Sequence, residues 1–153
     1  MKVKMVDISK KESVYREAIA MGRIHLKPKT IELIKEGKVE KGDPIQIATL
    51  AGIQGAKLTP LLMPLCHPIR IDNVDIESEI DESSITITAK VRSTEKTGVE
   101  MEALTAVVTA LLNIWDVVKM YEKDENGQYP TTFIESVKVV KKVKEGYGGC
   151  EEA

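Results

Sequence analysis

Between Thr97 and Tyr121 nearly every residue is apolar, and the exceptions, Glu102, Thr105, Thr109, Asn113, Asp116 and Lys119, recur three and four residues apart. That spacing draws one narrow polar stripe along a helix whose other faces need cover from the rest of the fold. A largely buried helix does not take carboxylates and ammonium groups out of water without partners, so the stripe calls for a reason beyond solubility. For an average helix, Asp116 and Lys119 would be an i,i+3 ion pair on an exposed face. Here the rest of the stripe is Thr and Asn rather than a solvated Lys/Glu surface, which weakens that reading.

The cover is legible upstream. Val14 to Leu26 alternates with the two-residue period of a strand, and Ile85, Ile87, Ala89 and Val91 alternate strictly, as a half-buried antiparallel strand does. Ile69, Ile71, Val74, Ile76 and Ile80 alternate except for a slip at Asp72-Asn73, which predicts a bulge. A turn at Asp81–Ser84 joins those two strands as a hairpin, and Val137, Val139, Val140 and Val143 form a last strand studded with lysines. Pro28 and Gly37 bracket a short helix. Asp43-Pro44 starts a second, with Asp43 as cap and the small residues Ala51, Gly52, Gly55 and Ala56 inviting close packing. Thr97-Gly98-Val99-Glu100 fits a capping box at the start of the long helix. The order β-α-α-β-β-α-β predicts an α+β, ferredoxin-like antiparallel sheet with helices on one face.

At 42% hydrophobic, 153 residues suffice for one domain with a real core, expected over 1–146, followed by a flexible tail over 147–153. A net charge of -2 argues against a nucleic-acid binder, and any anion site must be a local concentration of cations. Two separated cysteines, Cys66 and Cys150, imply no disulfide framework. The amino terminus lacks the apolar core of a signal peptide and no apolar run reaches membrane-spanning length, so a soluble, cytoplasmic protein without membrane partners is expected. His25, His67 and the cysteines offer no zinc spacing, and no Asp/Glu cluster resembles a magnesium cage; neither metal nor cofactor is expected.

One hexapeptide stands out. Met63-Pro64-Leu65-Cys66-His67-Pro68 sets one of the two histidines between prolines, so the imidazole is aimed by backbone constraint. An ordinary helix-to-strand turn reads almost the same way. At the start of the long helix, Lys96 and Gly98 make a place where phosphate can sit, a use compatible with the capping box.

Together these fragments resemble the molybdenum cofactor biosynthesis protein C family, cyclic pyranopterin monophosphate synthases. The matching blocks are Met5-Val6-Asp7-Ile8-Ser9 with Arg16, Lys41-Gly42-Asp43, Ala51-Gly52-Ile53-Gln54 with Lys57, Pro64–Pro68, Lys96–Thr105, and Asp116 with Lys119. The resemblance implies conversion of (8S)-3',8-cyclo-7,8-dihydroguanosine 5'-triphosphate to cyclic pyranopterin monophosphate with release of diphosphate, the work of a lyase. It carries functional roles onto Arg16, Lys41, His67, Glu100, Met101, Glu102, Asp116 and Lys119, and implies a hexamer built as a trimer of dimers with sites at subunit contacts. A triphosphate needs cations, which Arg16, Lys57, His67 and Lys96 can supply beside the C-terminal lysines. The purine-like ring needs acceptors, which Glu100 and Glu102 provide next to Met101. Cys66 and Thr97 fall inside the same matching blocks and are expected at the substrate. Lys41 and Lys119 are the expected acid/base pair, with pKa lowered in a cation cluster and Asp116 orienting Lys119.

The chain departs from the family pattern at Leu58, Pro60-Leu61 and its end, where Lys142 is the nearest counterpart of a family lysine and Lys141 the alternative. His25 matches no functional position. Two other functions remain open at this stage: a nucleotide-sensing module on the same sheet, and a Cys66-His67 nucleophile, which adjacent residues in an extended segment disfavour.

Overall fold

The computed structural model describes residues 1–146 and 149–152. The expected tail falls partly on residues 147, 148 and 153, which lie outside the described residues.

Alternation in the first strand becomes burial on one face. β1 (Val14–His25) turns Ala18, Ala20 and Ile24 inward and leaves Glu17, Ile19 and Met21 on the other side. It is followed by α1 (Pro28–Lys35), α2 (Pro44–Leu62), β2 (Ile71–Ile80), β3 (Ser84–Glu95), α3 (Glu100–Glu122), β4 (Phe133–Gly146) and a short β5 (Gly149–Glu152). The sheet is antiparallel with strand order β2-β3-β1-β4-β5, so β1, the first strand in sequence, lies between β3 and β4. The slip at Asp72 is a register shift between Ile71 and Asn73, where the predicted bulge stands.

Ile85, Ile87, Ala89 and Val91 of β3 meet Ala103, Ala106, Val107, Ala110, Leu111 and Ile114 of α3, all fully buried or nearly so. Each Ile, Leu or Val side chain among them contributes about 1.5–3 kcal/mol on removal from water. The helices cover one face of the sheet, as the pattern predicts.

α2 lies against α3 because its small residues allow it. A Cβ on Gly55 would lie 2.5 Å from the Thr109 hydroxyl and 3.1 Å from the Thr105 carbonyl oxygen. The Asp43 carboxylate accepts from the Ile45 amide at 2.9 Å and caps the helix, with Pro44 in its first turn.

Two expectations are corrected. α3 begins at Glu100, with Val99 at its cap, rather than at Thr97, and the Glu100 carboxylate turns back over Gly98 towards Lys142 instead of closing a capping box on Thr97. α3 is also long and apolar enough to cross a membrane by length and composition, contrary to the reading that no segment qualifies. Its place under the sheet and against α2 accounts for that composition: it is the core helix.

Candidate active site

α3 carries site residues at both ends, and the two ends are built differently. At its start, Thr97, Gly98, Glu100, Met101 and Glu102 line one wall of a cleft of about 350 Å³. Leu65, Cys66 and His67 form another wall, and Val6, Ile8 and Lys11 of the amino-terminal segment cross it. The Pro-bracketed turn does aim its imidazole: His67 Nε2 stands 2.6 Å from the Val6 carbonyl oxygen.

Glu102 is 3% exposed, and burial, with Glu100 close by, pushes its carboxyl up to about 7. At neutral pH this group is poised between donating and accepting a hydrogen bond. Glu100 faces the Lys142 ammonium through Oε2 at 3.5 Å, an ion pair without a hydrogen bond, and this buried oxygen has no hydrogen-bond partner among the described residues. Lys142 reaches it because it sits opposite Ala18, on the helix-covered face, whereas Lys141 is opposite Ile19 on the other. The Cys66 thiol is pushed up by burial and by Glu102 and Glu100, so it is a poor thiolate; the Cys-His nucleophile has no support in this geometry.

At the other end, Asp116 gathers both lysines. Its Oδ1 is 3.0 Å from Lys119 Nζ and 3.7 Å from Lys41 Nζ, and Lys41 also donates to the Asp116 carbonyl at 3.0 Å. The Lys119 hydrogen bond and charge, then Lys41, hold the Asp116 carboxyl below the usual carboxylate range. The same bond and charge raise Lys119 above the ordinary lysine value. That reverses the expectation of a lowered pKa, because the dominant neighbour of Lys119 is a carboxylate and not another cation.

Three expected cations stand apart from the cleft wall. Arg16 is 8% exposed and donates through Nε to the Glu95 carbonyl at 3.1 Å and through Nη2 to the Lys96 carbonyl at 3.3 Å, pinning the end of β3. Lys96 thus enters through its backbone; the Asp7 carboxyl is held below its ordinary range mainly by hydrogen bonds with Ser9, with smaller contributions from His67 and Lys96. Lys57 lines a separate groove of about 550 Å³ with Ile53, Ile69, Arg70, Asp72 and Asn73. Arg70, which the sequence reading did not single out, adds a second basic residue to that groove. His25 stacks on Phe133 at 4.3 Å and meets Glu135 at 3.1 Å, on the face of β1 opposite the core residue Ile24. Among the described residues, no group of three His, Cys, Asp or Glu side chains is arranged to hold a metal.

From Glu100 to Lys119 the helix advances about 28 Å at 1.5 Å per residue. The acceptor cleft and the lysine pair therefore cannot contact one nucleotide-sized molecule within a single chain.

The sequence model of the MoaC family matches residues 5–146. The chain is 60% identical over 142 residues to a Pyrococcus horikoshii protein named probable cyclic pyranopterin monophosphate synthase, covering 93% of this chain and 89% of that protein. It is 56% identical over 141 residues to a Sulfurisphaera tokodaii protein of the same name, covering 92% and 93%.

Proposed function

Because this chain belongs to the MoaC family, we propose that it is a cyclic pyranopterin monophosphate synthase of molybdenum cofactor biosynthesis, acting in the cytoplasm as a lyase. It converts the cyclised dihydroguanosine triphosphate to cyclic pyranopterin monophosphate and releases diphosphate. The observation that carries the reading is the match across almost the whole chain with every assigned residue type in place. The geometry supports the following division of labour.

Glu100 and Glu102 accept from the amino and ring N–H groups of the substrate, with Met101 beside them. A Glu102 carboxyl that titrates near neutrality ionises when such donors arrive. His67 and Lys142 serve as hydrogen-bond donors at the phosphate end. Lys119, held protonated by Asp116, enters as a general acid, and Lys41, on the same carboxylate, is its partner in proton transfer.

A site split over the length of α3 is completed between copies. The lysine pair of one chain serves the cleft of another, in a hexamer assembled as a trimer of dimers. Exposed Leu50, Leu61, Leu62 and Leu112 on α2 and α3 supply apolar surface for such contacts. Incubating the purified protein with the cyclised substrate tests the reading: diphosphate and the cyclic pterin phosphate are expected, and substrate binding without either product makes the protein a sensor instead.

A further inference from the structure

Lys41 has little of its own to hold it. It lies in the connection between α1 and α2, between Gly37 (φ +67°) and Gly42 (φ +123°), on a stretch with no helix or strand of its own. A long side chain on such a connection reaches Asp116 reproducibly only if the backbone at residue 40 or 41 is fixed from outside.

α3 provides that fixation one turn beyond Asp116. The Tyr121 hydroxyl accepts at 2.9 Å from the amide of Glu40, the residue immediately before Lys41. Tyr121 is itself part-buried, packed on the core, so its hydroxyl is a fixed point. The next residue anchors the other end of α1. Glu122, fully buried, accepts from the Lys27 amide at 3.1 Å and from the hydroxyls of Thr30 and Thr132. Lys27 makes no cap of its own with its side chain, so Glu122 acts from another helix as the carboxylate of a capping box does from within one.

Two consecutive residues of α3 thus hold both ends of the α1 segment, while Asp116 on the same helix holds the ammonium. We propose that the Tyr121 hydroxyl is a positioning group for Lys41, setting through the Glu40 amide the distance between Lys41 Nζ and Asp116; this rests on the role given to Lys41 above. The Glu40 backbone is exposed, so losing the bond returns the amide to water and leaves no buried orphan. Tyr121→Phe is therefore expected to disturb placement and not folding.

The test is a double-mutant cycle on the full chain in its native assembly, with Tyr121→Phe, Lys41→Ala and both together. Tyr121→Phe is expected to melt within a few degrees of the parent, to bind substrate with unchanged affinity, to speed hydrogen exchange at the Glu40 amide, and to slow single turnover about tenfold or more, as a misplaced reacting group does. In the Lys41→Ala background the same change is expected to cost nothing further. Equal loss in both backgrounds, or an unaltered rate in Tyr121→Phe beside an inactive Lys41→Ala, overturns the inference alone. Full turnover in Lys41→Ala overturns the role of Lys41 and with it the premise.

Discussion

At the scale of single residues, the buried carboxyl is the most consequential group. An ordinary glutamate ionises near 4.5, whereas Glu102 holds its proton to about 7 because burial disfavours its charged form. Between those values the unfolded chain has released a proton that the folded chain keeps. The stability contributed by the neutral carboxyl is full below pH 4.5 and is lost as pH rises to about 7, a change of roughly 3 kcal/mol. Glu102→Gln should flatten that slope, read as the difference between variant and parent in denaturant midpoints at pH 4.5 and pH 8; parallel profiles would deny the burial its role. Lys41→Ala should fold normally, bind substrate through the remaining cations and turn over about 10²–10⁴-fold more slowly in single-turnover assays. The candidate residues themselves were legible in the sequence, because ordered blocks such as Pro64–Pro68 and Lys96–Thr105 fix residue type. What Arg16 touches was not: a guanidinium spent on two backbone carbonyls looks in sequence like any other cation.

Among elements, the pair α2 and α3 shows why a helix can be rich in glycine without being weak. Gly55 is the point of closest approach, and its missing Cβ is space already occupied by Thr109. Gly55→Ala should destabilise the protein by about 1–3 kcal/mol despite the better helix propensity of alanine, with urea unfolding as the measurement; an unchanged midpoint would mean the helices can part at no cost. Strands were legible because their alternation is enforced by one covered face, and even the Asp72 bulge announced itself as a broken phase. The start of α3 was misread because Thr97 and Glu100 have the right types at the right separation for a box. The carboxylate has a better neighbour in Lys142, distant in sequence and adjacent only once β4 pairs with β1.

For the whole molecule, the composite site proposed above makes a prediction that no single chain can satisfy. Lys119→Ala and His67→Ala should each be inactive, yet subunits of the two mixed after dissociation and reassembly should regain turnover, since some contacts then join an intact cleft to an intact lysine pair. Mixtures as inactive as their parents would return each site to one chain. Periodicity could place Glu102 and Lys119 on one helix face, but not show that they stand too far apart to serve one molecule within a single chain. The strand order carries a consequence for biosynthesis. β1 emerges from the ribosome first, yet one of its neighbours, β4, begins only at Phe133, so the central strand waits with an open flank until almost the entire chain has been made. Contacts so distant in sequence form slowly, and an unpaired edge in the meantime is a template for association. A chain stopped after Pro130 should accordingly collect in aggregates during expression while the full-length chain stays in solution, and a soluble truncated chain would show that the nascent edge is shielded by other means.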